Sequence, residues 1–180
     1  MKLIRGYYAF LAIAGGVLLR LAAAENWMLQ IVAFALISAG ALSLQRVSRW
    51  FLRASVTADV LIGFEVVLGP QVLPPGFYRI VLTELELVPL LLLGCMLFLA
   101  FADQMRAAGK PAAAEWVLLA VWSAGLILSL LTLLLGGWLT EPVSEAGFKI
   151  ARLLLPIGHI ALIADSFRAQ KEYIRTEGNE

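Results

Sequence analysis

Apolar residues fall along this chain in six blocks, each closed by charged or helix-breaking positions. The blocks are 6–24, 27–44, 54–73, 83–102, 115–139 and 148–167. At about 1.5 Å of rise per residue, some twenty helical positions cover the roughly 30 Å hydrocarbon core of a bilayer. The pattern therefore predicts an all-α, polytopic transmembrane bundle of six spans, forming one integral membrane domain over 1–180. The punctuation agrees. Glu25-Asn26 separates the first two blocks, and Gly109-Lys110-Pro111 breaks the loop before the fifth. Leu73-Pro74-Pro75-Gly76 stops the third, because prolines remove amide donors and reject helical geometry in the residue before them. Lys2 and Arg5, the apolar run 7–19 and Ala22-Ala23-Ala24 also have the layout of a secretory leader. Arg20 interrupts that run and favours a retained span.

Polar residues inside the blocks carry the candidate chemistry. In the sixth, Lys149, Arg152, Pro156, His159, Ile163 and Ser166 recur at steps of three and four, so they share one helical face. Ionisable groups within a span are expensive and face protein or water. The third block holds Asp59 and Glu65, loosened by Gly63 and Gly69, and the fourth holds Glu84, Glu86 and Pro89. Glu84 and Glu86 lie about 200° apart on a helix, and Pro89 predicts a kink or a re-entrant start there. Glu65 and His159 both fall near the centres of their spans. Together these positions predict an interior polar network: Glu65 with His159 at mid-depth, and Arg152 paired with Glu84, Glu86 or Glu65 above them. Arg20 and Lys149 lie in the same outer half. Asp59 extends the pathway into the cytoplasmic half.

Small residues predict where helices meet. Ala12 and Gly16 on the first span match Ala35, Ala39 and Ser43 on the second, a spacing that lets helices approach closely in lipid. Gly125, Ser129, Thr132 and Gly136 form a similar stripe on the fifth, read as helix glue or, alternatively, as the lining of a solute path. Arg46, Arg49 and Arg53 fall on one helical face beside Trp50. They read as a cytoplasmic loop with an aromatic interface anchor, or as a surface for anionic lipid or a partner.

Composition changes the picture in three ways. With 61% hydrophobic and 15% charged residues, and a mean hydropathy of +0.87, the chain lies outside soluble-domain usage. Of its 14 basic residues, ten fall on one side of the six-span topology, at positions 2, 5, 46, 49, 53, 106, 110, 168, 171 and 175. The positive-inside rule makes that side cytoplasmic, with both termini in, as in a plasma or bacterial inner membrane. A net charge of +1 and the lack of a basic surface exclude a nucleic-acid partner.

One cysteine excludes an internal disulfide, and one histidine excludes bis-histidine haem and makes any metal site depend on carboxylates. The sequence indicates no metal site and names no cofactor. No HExxH, G-x-S-x-G or phosphate-cradling glycine loop is present. Cys95 lies at a depth near His159, but a lone cysteine in an apolar run is more often packing.

Three function classes follow. The first is a carrier, channel or solute-binding membrane component whose ligand or proton pathway uses Glu65, His159, Arg152, Glu84, Glu86 and Asp59. The second is a non-catalytic subunit or scaffold that packs against other membrane proteins, and the third, weakest, is an intramembrane enzyme. The partners are the bilayer, a membrane protein or a second copy, and a small solute or proton. Charged groups on the lipid-facing surface would favour the second class, since they need an absent partner.

Overall fold

The structure, a computed structural model, describes residues 2–23, 26–69, 77–135 and 141–177. Some side chains within these segments, those of Glu84 and Arg152 among them, lie outside the description. The Leu73–Gly76 stop and Gly136 also fall outside it. The described residues form six helices and no strand: α1 Lys2–Ala22, α2 Trp27–Ser43, α3 Arg49–Leu68, α4 Phe77–Ala107, α5 Ala113–Leu135 and α6 Glu141–Glu177.

Local chemistry sets the helix ends. Asn26 caps α2 by accepting the Leu29 N–H at 3.2 Å. Ser48 caps α3: its Oγ accepts the Trp50 N–H at 3.2 Å and donates to Asp103 Oδ2 of α4 at 2.8 Å. This cap splits the single arginine face expected over 45–53. Arg46 sits in a turn and Arg49 opens α3, so the two belong to different elements. At the end of α4, Gly109 takes a left-handed φ of 71° and the Lys110 N–H reaches back to the Met105 carbonyl at 2.9 Å. That is a Schellman ending, which glycine adopts without Cβ strain.

One of the expected alternatives at Pro89 is absent. α4 runs unbroken from Phe77 through Pro89, so there is no re-entrant start. Helix flanks the proline on both sides. After Phe167 α6 continues to Glu177 and packs back on α1. There Gln170 Nε2 donates to the Tyr7 carbonyl at 3.1 Å, and the Tyr173 ring lies 5.9 Å from Phe10.

Sequential helices pack antiparallel. Side-chain partners such as Ser38–Ser55, Ser48–Asp103, Trp122–Leu91 and Ser166–Phe10 move apart in number as their helices leave each turn. Each helix packs on the next, α6 returns to α1, and α4 also touches α6. That last contact divides the molecule into a five-helix ring of α1, α2, α3, α4 and α6, with α5 held outside against α4 and α6.

α1 and α2 approach closest at Gly16 and Gly40. A Cβ on Gly16 would stand 2.6 Å from the Ala33 carbonyl oxygen, and one on Gly40 2.5 Å from that of Ala9. The expected Ala35, Ala39 and Ser43 are instead exposed, because Phe34, Ile37 and Ala41 turn the opposite face of α2 inward. At the end of the ring carrying the termini, Phe10, Phe51 and Phe101 form a closed aromatic cluster with centroids 5.9–6.4 Å apart. Each is at most 1% exposed.

The outer surface is apolar. Thirty large hydrophobic side chains are exposed, with members on all six helices. Among the described residues two helices are long and apolar enough to cross a membrane, over Leu85–Ala107 and Ala113–Thr132. The apolar parts of α1 and α2, Gly6–Ala22 and Trp27–Ser43, are shorter. α3 and α6 are interrupted by charge.

Candidate functional site

The far end of the ring, away from the termini, is built around Arg20. This residue lies one turn from the end of α1, and its guanidinium carbon stands 4.9 Å from the centroid of the Phe34 ring on α2. Its Nη1 is buried and has no hydrogen-bond partner among the described residues. Glu86 of α4 and Glu65 of α3 are its electrostatic neighbours, Glu86 the stronger. Neither closes to an ion pair. The ion pairs among the described residues are Arg106–Asp103, Lys110–Glu172, Lys149–Glu145 and Arg168–Glu115.

Gln30, one turn before Phe34 on α2, completes the site. Only 4% exposed, it donates from Nε2 to the carbonyls of Arg20 at 3.0 Å and Ala23 at 2.8 Å. These bonds satisfy backbone groups where α1 ends. They leave Gln30 Oε1 buried with no donor. The far end therefore combines an unused donor on Arg20, an unused acceptor on Gln30 and two carboxylates. A buried polar atom without a partner costs about 1–3 kcal/mol, so such a site gains from a bound polar molecule that supplies the missing bonds.

The predicted site residues divide. Glu65 and Glu86 come together around Arg20. His159 shares only the influence of Arg20, since α3 and α6 do not pack on each other. The expected pairing of Arg152 with Glu84, Glu86 or Glu65 lies outside the described side chains, since that of Arg152 is not among them. Lys149 pairs with Glu145 at 2.7 Å on the exposed surface, not with the interior. Asp59 stands on the outward face of α3, opposite the buried Ala54, Ala58 and Leu61.

His159 sits in the wedge between α4, α5 and α6. Its Nδ1 donates to the Leu155 carbonyl at 2.7 Å, and its ring meets the edge of Trp122 at 5.0 Å. Gly158 makes room for that tryptophan: a Cβ there would lie 2.6 Å from Trp122 Cε3. Gly94 of α4 admits the other side of the indole, whose Nε1 donates to the Leu91 carbonyl at 3.3 Å. The hydroxyl stripe of α5 is packed as well. Ser129 and Thr132 donate to carbonyls one turn back, and a Cβ on Gly125 would press on Leu154 at 2.9 Å. These residues join α5 to α6 and do not widen a path. Cys95 Sγ has Ser123 Oγ at 3.5 Å as its polar neighbour.

A second charged group gathers where α5 begins. Glu115, 1% exposed, has Arg168 Nη1 at 3.1 Å in ion-pair contact but without hydrogen-bond alignment. Asp165 is 4% exposed, and its Oδ2 has no partner. Nearby, the Lys110 ammonium donates to Glu172 and holds that carboxyl below its ordinary value. No three histidine, cysteine, aspartate or glutamate side chains converge as metal ligands among the described residues.

Gln30, Phe34, Trp122, Glu115 and Asp165 were not among the residues singled out by sequence. Gln30 had a signal, as the lone amide in the apolar run W-M-L-Q-I-V. Asp165 lies within the sixth block, between Ala164 and Ser166. Compared with protein-family models, with curated proteins and with solved structures, the chain matches none.

Proposed function

We propose that this chain is a six-span integral membrane protein with both termini cytoplasmic, and that the outer end of its five-helix ring binds a small amphoteric solute. The exposed apolar side chains on all six helices support insertion, since a water-soluble monomer does not present so continuous an apolar surface. The unpartnered Arg20 Nη1, beside Glu65 and Glu86, carries the binding reading. A carboxylate or carbonyl of the solute takes the Arg20 donor, and an ammonium or amide N–H takes the Glu65 and Glu86 carboxylates and Gln30 Oε1. Recognition is electrostatic in a low-dielectric setting, where such contacts are stronger than in water.

The aromatic cluster of Phe10, Phe51 and Phe101 closes the opposite end, which favours a solute-binding component or carrier over an open channel. The test is thermal unfolding of the detergent-purified chain with free amino acids, their N-acetyl derivatives and their methyl esters. A zwitterion should raise the unfolding temperature more than either singly blocked form, and Arg20→Gln should remove the increase. No stabilisation by any compound, with Arg20→Gln unfolding as the parent does, would refute the reading.

A further inference from the structure

The outward face of α3 carries a charge that the bundle does not use. Its inward face is Phe51, Ala54, Ala58 and Leu61, each fully buried. Around the far side run Leu52, Val56, Asp59, Val60 and Gly63, all exposed. Val56 is 57% and Val60 48% exposed, so the carboxylate stands in an apolar surround. It makes no ion pair or hydrogen bond among the described residues.

Asp59 lies six residues beyond Arg53, about 9 Å along the helix. Its side chain is too short to reach headgroups as a lysine would. A carboxylate held towards hydrocarbon is expensive, and such groups mark contacts within the membrane. Arg53 is committed elsewhere, its guanidinium 4.5 Å over the Trp50 ring.

Gly63, one turn further on, adds a notch. Nothing lies within 4 Å of the place a Cβ would occupy there. Small residues at that spacing admit the backbone of a second helix. The flanking valines have one dominant side-chain rotamer in a helix, so packing against them orders little that is not already ordered.

We infer that the face Leu52–Val56–Asp59–Gly63 docks a membrane-spanning helix of another protein that brings a lysine or arginine to the depth of Asp59. A second copy fits less well, because matching α3 faces would oppose two carboxylates. The exposed cations Arg46, Arg49 and Lys149 lie towards the helix ends, not at that depth. This inference rests on the membrane reading above, not on the solute site.

The test uses the full chain in phosphatidylcholine vesicles, labelled with a donor fluorophore at Gln45→Cys in a Cys95→Ser background. The probes are acceptor-labelled leucine–alanine transmembrane peptides with either lysine or leucine at the centre. The lysine peptide should bind at least tenfold tighter than the leucine peptide. Asp59→Leu should abolish that preference and Asp59→Glu should keep it. Equal binding of the two peptides, or an unchanged preference in Asp59→Leu, would overturn the docking site. Energy transfer between copies of the chain that disappears in Asp59→Leu would overturn it in favour of self-association. Release of the unlabelled chain from vesicles by alkaline wash would overturn the membrane reading itself, whereas a retained chain indifferent to lysine leaves that reading standing.

Discussion

At the end of the ring that carries the termini, most of the buried polar side chains are held by the fold, Glu115 and Asp165 beside the start of α5 excepted. Ser48 is held by Asp103 and the Trp50 amide, Ser166 donates to the Phe10 carbonyl at 2.9 Å, and Gln170 to that of Tyr7. The rings of Phe10, Phe51 and Phe101 pack the ring's interior there. At the far end Gln30 is buried and Arg20 half-buried, and each leaves an atom unpartnered. The first arrangement explains stability and needs nothing else. The second costs stability, and a bound polar molecule would offset that cost. Burial of a polar group alone therefore does not mark a candidate site in this bundle; a missing partner is the further sign, and Glu115 and Asp165 carry it as well as Arg20 and Gln30.

The largest expected effect tests the filled end. Phe10→Ala removes the ring shared by Phe51, Phe101 and Tyr173 and should cost about 3–5 kcal/mol, read by reversible unfolding in mixed micelles. The double variant Arg20→Met, Glu86→Gln at the far end should change stability by under about 1 kcal/mol, because a poorly paired buried charge set is replaced by neutral groups of similar size. If it is as damaging as Phe10→Ala, the contrast between the two ends fails.

Next comes the wedge. Gly158→Leu should cost about 1–3 kcal/mol by forcing Trp122 aside, measured in the same way. It should leave solute-dependent stabilisation at Arg20 intact, which separates His159 from the far-end site.

Smaller again is Ser166→Ala. Losing one hydrogen bond between the last helix and the first should cost about 0.5–1.5 kcal/mol.

The smallest effect is a pH dependence. The hydrogen bond from Lys110 holds the Glu172 carboxyl below its ordinary 4.5 in the folded chain. Its contribution is therefore complete above that value and is lost as pH falls through the lower folded one. Unfolding midpoints of the parent and Glu172→Gln should differ at neutral pH and converge once pH falls below the lowered value in the folded chain.

Much of the fold was legible because hydrophobic block length and the turn chemistry at Gly109 and Asn26 act locally. Helix positions followed. The site was legible only in part. Depth matching ranks residues by distance along their own helices, and by that measure Glu65 and His159 looked like a pair. Which helices touch is decided by close packing at Gly16, Gly40 and Gly94, and no one-dimensional pattern shows that α3 and α6 stand apart. Arg20 was seen as an interruption near the end of a span and placed among outer charges, but its place beside Glu86 and Glu65 depends on how α1 closes the ring between α2 and α6. Asp59 shows the same limit: at 100° per residue it stands well away from the Ala54–Ala58 line on the helix, yet only the packing of α2 and α4 shows which face is inside.

The ring is closed by its first and last helices, joined through Ser166, Gln170 and Tyr173 to the carbonyls and rings of α1. During synthesis α1 is made first and then waits, with the side chains meant for α6 uncovered, until more than 140 further residues have emerged. Contacts so distant along the chain form late and leave an exposed intermediate. A nascent chain arrested before Ser166 would thus hold five helices as an open arc. Resistance to protease in the α1–α2 region should appear in one step, at the length where the end of α6 leaves the ribosome.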